Sequence, residues 1–106
     1  MTGEEFVELC FKEKESILKE YFDENSQALV AEKIYKLIEE GTSKEALYEI
    51  ISLVLNENYY NLLIAIDGET QLAGKQICYQ LYDEDKNLLN ECGEIEEAAY
   101  RYFMQE

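Results

Sequence analysis

Residues 77–89 read ICYQLYDEDKNLL, and whether they pair as a hairpin sets the fold class of the chain. Ile77-Cys78-Tyr79-Gln80-Leu81-Tyr82 is rich in residues that suit a pleated, half-buried strand. Asp83-Glu84-Asp85-Lys86-Asn87 supplies turn chemistry, with Asn87 able to adopt a left-handed conformation, and Leu88-Leu89 would begin the return strand. The expectation is a short β-hairpin over 76–90. Upstream, DGETQLAG (67–74) carries two of the five glycines and reads as a loop. Before that loop, Tyr59 to Ile66 is apolar on all sides. Tyr59, Leu62, Leu63 and Ile66 match helical spacing, and Tyr60, Leu62, Ile64 and Ile66 match a strand equally well, so periodicity leans only weakly to a helix.

Further toward the N-terminus the pattern is helical. Thr2 with Glu5 makes a capping box, and Val7, Cys10, Phe11, Leu18, Tyr21 and Phe22 follow at helical spacing over residues 3–23. Lys14 interrupts that stripe, and the expectation is that its methylene stem covers the core while its ammonium stays in water. Ser26 stands where it can cap a second helix with Val30, Ala31, Ile34, Leu37 and Ile38 inward, ended by Gly41. Thr42 and Glu45 repeat the capping-box spacing for a third helix with Leu47, Ile50, Ile51, Val54 and Leu55 inward. Connections this short make neighbouring helices pack. Downstream of Gly93, Ile95, Ala98, Ala99, Tyr102 and Phe103 form the inner stripe of a C-terminal helix. The fold class expected is α+β, mostly helical: three N-terminal helices, a short β-hairpin and a C-terminal helix around one core.

One domain is expected from 106 residues, and 47% hydrophobic content is enough to fold it without a metal or crosslink. Twenty-four acids against nine Lys and Arg give a net charge of −15. That field repels phosphate backbones and anionic lipid, which argues against direct nucleic acid or membrane binding. It attracts basic protein surfaces and speeds their encounter. Cys10, Cys78 and Cys92 lack any pairing pattern and read as reduced thiols. The opening MTGEEFVELC has acids where a secretory signal needs bases, and the cytoplasm is the expected location.

Familiar catalytic constellations are missing from the sequence. With no His, histidine-based relays and metal sites are closed. Neither GxGxxG nor GxxxxGK[ST] occurs, and three scattered cysteines make no zinc site. Paired carboxylates could in principle do acid–base work, yet the chain has no Trp to wall a sugar groove. No enzyme activity and no cofactor are expected.

Two surface patterns remain. Asp83, Asp85, Asn87, Glu91 and Glu94 fall at positions 1, 3, 5, 9 and 12 of a calcium-loop frame, but Leu88 replaces the glycine required at position 6. A solvated turn explains the same spacing. Glu4, Glu5, Glu45, Glu94, Glu96 and Glu97 sit at helix starts, where acids stabilise exposed NH groups and the positive end of the dipole. Of nine tyrosines, Tyr21 and Tyr102 lie on inner faces, and Tyr48, Tyr79 or Tyr82, and Tyr100 fall on or near outer faces beside acids.

The reading that follows is a non-catalytic acidic protein-binding module of the inhibitor or immunity type, covering a basic surface of a partner such as a nuclease or toxin. Its expected contact residues are Tyr79, Tyr82, Asp83, Glu84, Asp85 and Glu91. The alternatives are a calcium-responsive domain on the degenerate loop and a structural domain whose tyrosines bury a self-interface.

Overall fold

A computed structural model describes residues 1–105 apart from the Cys92 side chain, so the expectation for that thiol lies outside the described residues. Helix accounts for 63% of the chain in four helices, and no sheet forms among the described residues. The α+β expectation is thereby overturned. The helices are α1 (Gly3–Tyr21), α2 (Leu29–Glu39), α3 (Lys44–Ile66) and α4 (Glu94–Ala99), the last continuing into a wider π turn, Tyr100–Met104.

The α1 start follows the sequence directly. Thr2 Oγ1 accepts from the Glu5 amide at 3.1 Å, and Glu5 Oε1 accepts in return from the Thr2 amide at 3.0 Å. Gly3, one residue on, is required for a packing reason: a Cβ there would collide with the Leu89 carbonyl oxygen. Ser26 does not cap α2. Its hydroxyl accepts from the Ala28 amide at 3.1 Å, shaping the turn that leads to Ala28, the capping residue. Gly41, at φ 102°, ends α2 in a left-handed conformation, and the Thr42 amide reaches back to the Leu37 carbonyl at 2.9 Å. The α3 cap is Ser43 rather than Thr42, because the Ser43 hydroxyl accepts from the Ala46 amide at 3.2 Å. The ambiguous run 59–66 is helical and continues α3 without a break.

Val7, Leu63, Leu89, Ile95, Ala98, Ala99 and Phe103 form the buried core. They come from the first half of α1, the last half of α3, the C-terminal helix and, at Leu89, the segment before it, so the core occupies one end of the molecule. Phe103 is its aromatic centre, edge-on to Phe11 at 5.5 Å and stacked on Tyr59 at 6.0 Å between ring centroids. Lys14 corrects the sequence expectation, for its ammonium is buried. It lies 4.4 Å from the Phe11 ring centroid and donates to Asn56 Oδ1 at 3.2 Å, with Glu15 Oε1 at 3.1 Å. Asn56 in turn donates to the Phe103 carbonyl at 2.6 Å. A cation is thus held beside the carbonyl end of the C-terminal helix, where the dipole favours it.

The hairpin over 76–90 is replaced by an extended arm with isolated bridges only, Leu72 with Lys75 and Tyr82 with Leu88. The cause is Asn90, which is buried. Its Oδ1 accepts from the Leu81 amide at 2.9 Å, and its Nδ2 donates to the Tyr79 and Ile66 carbonyls. A side chain occupies the amide that a partner strand would use, while the Tyr79 amide donates to the Ile66 carbonyl of α3 at 2.9 Å. Strand-favouring residues are present, but apart from the Leu89 amide on the Leu81 carbonyl at 2.8 Å and the Asp83 amide on the Asn87 carbonyl at 3.1 Å, their hydrogen bonds run to a side chain and a helix end.

Asn90→Leu should therefore lower stability by about 2–3 kcal/mol in urea titrations, since it removes the partners of the part-buried Leu81 amide and Tyr79 carbonyl, the Ile66 carbonyl keeping the Tyr79 amide. A loss under about 0.5 kcal/mol, the range of ordinary surface changes, would contradict the role given to Asn90.

Candidate functional site

Asp83 and its neighbours are placed by the arm. Asp83 Oδ1 accepts from the Asp85 and Asn87 amides at 3.0 and 2.9 Å. Its Oδ2 accepts from Asn87 Nδ2 at 3.0 Å and from the N-terminal ammonium at 3.2 Å. Bonds from the Asn87 side chain and backbone, helped by the N-terminus and the Asp85 amide, hold the carboxyl at about 2, below its ordinary 3.8. Asp83 is therefore spent on closing the turn and tying down the N-terminus, and its side chain is only 14% exposed. Around it, Glu84, Asp85 and Glu91 are exposed. Tyr79 and Tyr82 are 39% and 52% exposed.

The calcium frame is not assembled as a ligand set. Glu94 Oε1 accepts from the Glu4 amide at 3.4 Å, at the start of α1. Among the described residues no three Asp, Glu or Cys side chains are placed to hold a metal ion. Cys10 and Cys78 are free thiols, and partial burial raises the pKa of the Cys10 thiol.

An open groove of about 540 Å³ runs along α4 and its π turn, lined by Tyr60, Glu96, Glu97, Tyr100, Arg101 and Gln105 with Gly93. Arg101 is already matched by Glu4, Nη1 to Oε1 at 2.9 Å, which leaves Glu96 and Glu97 to set the charge of the groove. Asp67 stands where α3 ends. Its buried Oδ2 accepts from the Glu96 amide at 2.7 Å, capping α4 from another helix, because Gly93 has no side chain to do so. Its Oδ1 has no hydrogen-bond partner among the described residues. Burial, then the charge and hydrogen bond of Glu69, then the charge of Asp67, push the Glu96 carboxyl above its ordinary value. Carboxyls crowded in this way favour an incoming cation.

The sequence reading assigned Glu96 and Glu97 wholly to the helix start and put Tyr60 in the buried run. What it missed is their meeting with Tyr100, which requires the angle at which α4 crosses α3. The outward position of Tyr100, beside Glu96 and Glu97, was the available signal.

Among the described residues no helix is long and apolar enough to cross a membrane. Comparison with protein-family models, with curated proteins and with solved structures found no match.

Two pH effects of opposite sign follow. Asp83 titrates lower in the folded state, so its contribution is complete above about pH 4 and is lost as pH falls toward 2. The stability gap between wild type and Asp83→Asn should be constant from pH 5 upward and close below pH 4. Glu96 titrates higher in the folded state, so its contribution is present at low pH and is lost as pH rises through its raised value. Glu96→Gln should raise the melting temperature at pH 7, with the gain vanishing below pH 4.5. A pH-independent difference for either variant would contradict these assignments.

Proposed function

We propose that the protein is a non-catalytic binding module of the inhibitor or immunity type, and that it receives a basic element of a protein partner, such as a nuclease or toxin, in the α4 groove. The observation that carries the reading is the groove itself: concave, walled by Tyr60 and Tyr100, and charged by Glu96 and Glu97. Tyrosines supply contact area at low entropy cost, and crowded carboxylates gain most when a guanidinium or ammonium arrives. Net charge of −15 adds long-range steering. The turn bearing Glu84 and Asp85, with Tyr79 and Tyr82 beside it, is a second contact region. Its shape is fixed in advance by Asp83 and Asn90, which reduces the ordering cost of binding.

A hexa-arginine peptide titrated by calorimetry tests the groove. Binding should weaken at least about tenfold between about 0.05 and 0.5 M salt as the charges are screened. Glu96→Lys combined with Glu97→Lys should weaken it several-fold more than Glu20→Lys combined with Glu24→Lys, an equal charge change at the far end of α1. Tyr100→Ala should weaken it too. Equal losses from the two charge pairs, or binding indifferent to salt, would count against the reading.

A further inference from the structure

The molecule has more surface than its mass calls for. A folded monomer of 12.4 kDa is expected to expose about 6,100 Å², and this chain exposes 7436 Å². The radius of gyration is 16.3 Å over extents of 48 × 29 × 26 Å, whereas a compact chain of this length has about 13 Å. The excess, about 1,300 Å² on that scaling, exceeds the roughly 800 Å² that each partner buries in a standard stable interface.

The arm contributes to the excess, being exposed throughout residues 71–80, and so does α2 with the first half of α3. Ile50, Leu53 and Val54 are 58, 54 and 58% exposed, and Val30 and Leu37 on α2 are also exposed. Tyr35 of α2 donates to the Phe22 carbonyl at 2.6 Å, and Tyr48 of α3 packs edge-on against the Phe22 ring. Those flanks point to the end of α1. By helical spacing the opposite flanks, Val30 and Leu37 on α2 with Ile50 and Val54 on α3, turn away from α1 together. All four are more than a third exposed.

We propose that a second copy of this chain covers this face, the α2–α3 pair of one copy lying against that of the other in a two-fold symmetric interface of four helices. Charge favours a second copy here although the whole molecule is acidic. Residues 28–57 carry three lysines and six glutamates, a local balance of −3 within the total of −15. α2 carries Lys33 and Lys36 with Glu32 and Glu39, and α3 carries Lys44 with Glu45, Glu49 and Glu57; by helical spacing Lys33 and Lys36 flank the exposed side of α2, and Glu49 and Glu57 that of α3. Lys33 and Lys36 form no ion pair among the described residues. In a two-fold arrangement each α2 faces the partner's α3, so both sets of charges meet their opposites.

Sedimentation equilibrium from about 1 μM to about 1 mM, a range spanning ordinary dimer affinities, tests the proposal. The expected result is a rise from 12.4 kDa to twice that mass. Added salt should leave dimerisation unchanged or strengthen it by screening the overall repulsion, the reverse of its effect on a basic ligand in the α4 groove, so the two proposals fail separately. Leu53→Glu should raise the dissociation constant at least about tenfold, as expected for loss of a central apolar contact. Circular dichroism should be unchanged, because Leu53 is exposed in the single chain. A second pair of variants does not depend on that substitution. Lys33→Glu with Lys36→Glu, and Glu49→Lys with Glu57→Lys, should each weaken self-association, and the two proteins mixed should form a heterodimer. A wild type that stays at 12.4 kDa up to 1 mM overturns the proposal, as does undiminished dimerisation of Leu53→Glu or failure of the charge variants to pair.

Discussion

The third helix is longer than the core that supports it. At 1.5 Å per residue its 23 residues span about 34 Å, and α1 and the C-terminal helix enclose only the Leu63 end. Everything else follows from that overhang. The Leu63 end meets Val7, Ile95 and Phe103 and makes one dense core. The Lys44 end is left with α2 and the tail of α1, too little to cover a helix that is apolar on most of its circumference. The elongated shape and the excess surface follow in part from this, the exposed arm over 71–80 adding to both.

Three buried polar groups keep the C-terminal helix on the other two. Lys14 and Asn56 together occupy the carbonyl end of that helix, Asp67 occupies its amide end, and Asn90 fastens the arm that precedes it. Asn56, Asp67 and Asn90 each bond a backbone group, and Lys14 holds Asn56 in place, so removal would leave an unpaired polar group as well as a lost contact. Their joint effect is to hold α4 against α3, where Tyr60 of one and Tyr100 beyond the other wall the groove. The groove therefore depends on packing remote from its lining, while the overhanging α2–α3 face depends on almost none.

Much of the helical part was legible in the sequence. The Thr2–Glu5 pair, the apolar stripes and Gly41 carry local instructions that the structure follows, and the helical spacing in 59–66 proved to be the operative one. Three features were not legible, each because a distant group overrides a local preference. Ile77 to Tyr82 has strand character, but Asn90 and the end of α3 take its hydrogen bonds, and no periodicity reveals a side chain replacing a strand. Lys14 looked like a wet cation because Asn56 and the Phe103 ring, which join Phe11 around it, lie far away in sequence. Of the candidate site, the exposed acids and tyrosines of the turn were visible, but the structural use of Asp83 and the groove of Tyr60, Glu96 and Tyr100 were not.

The central claim is that the chain leaves α2 and the first half of α3 uncovered until a second copy arrives. Amide hydrogen exchange read segment by segment at low and high protein concentration tests it most directly, because protection reports local opening. The prediction is that residues 29–39 and 44–57 exchange fast when dilute and slow as concentration rises, with the segments bearing Leu63 and Ile95 protected throughout. Exchange over 44–57 that is as slow as over the Leu63 end in dilute solution, and indifferent to concentration, would contradict it.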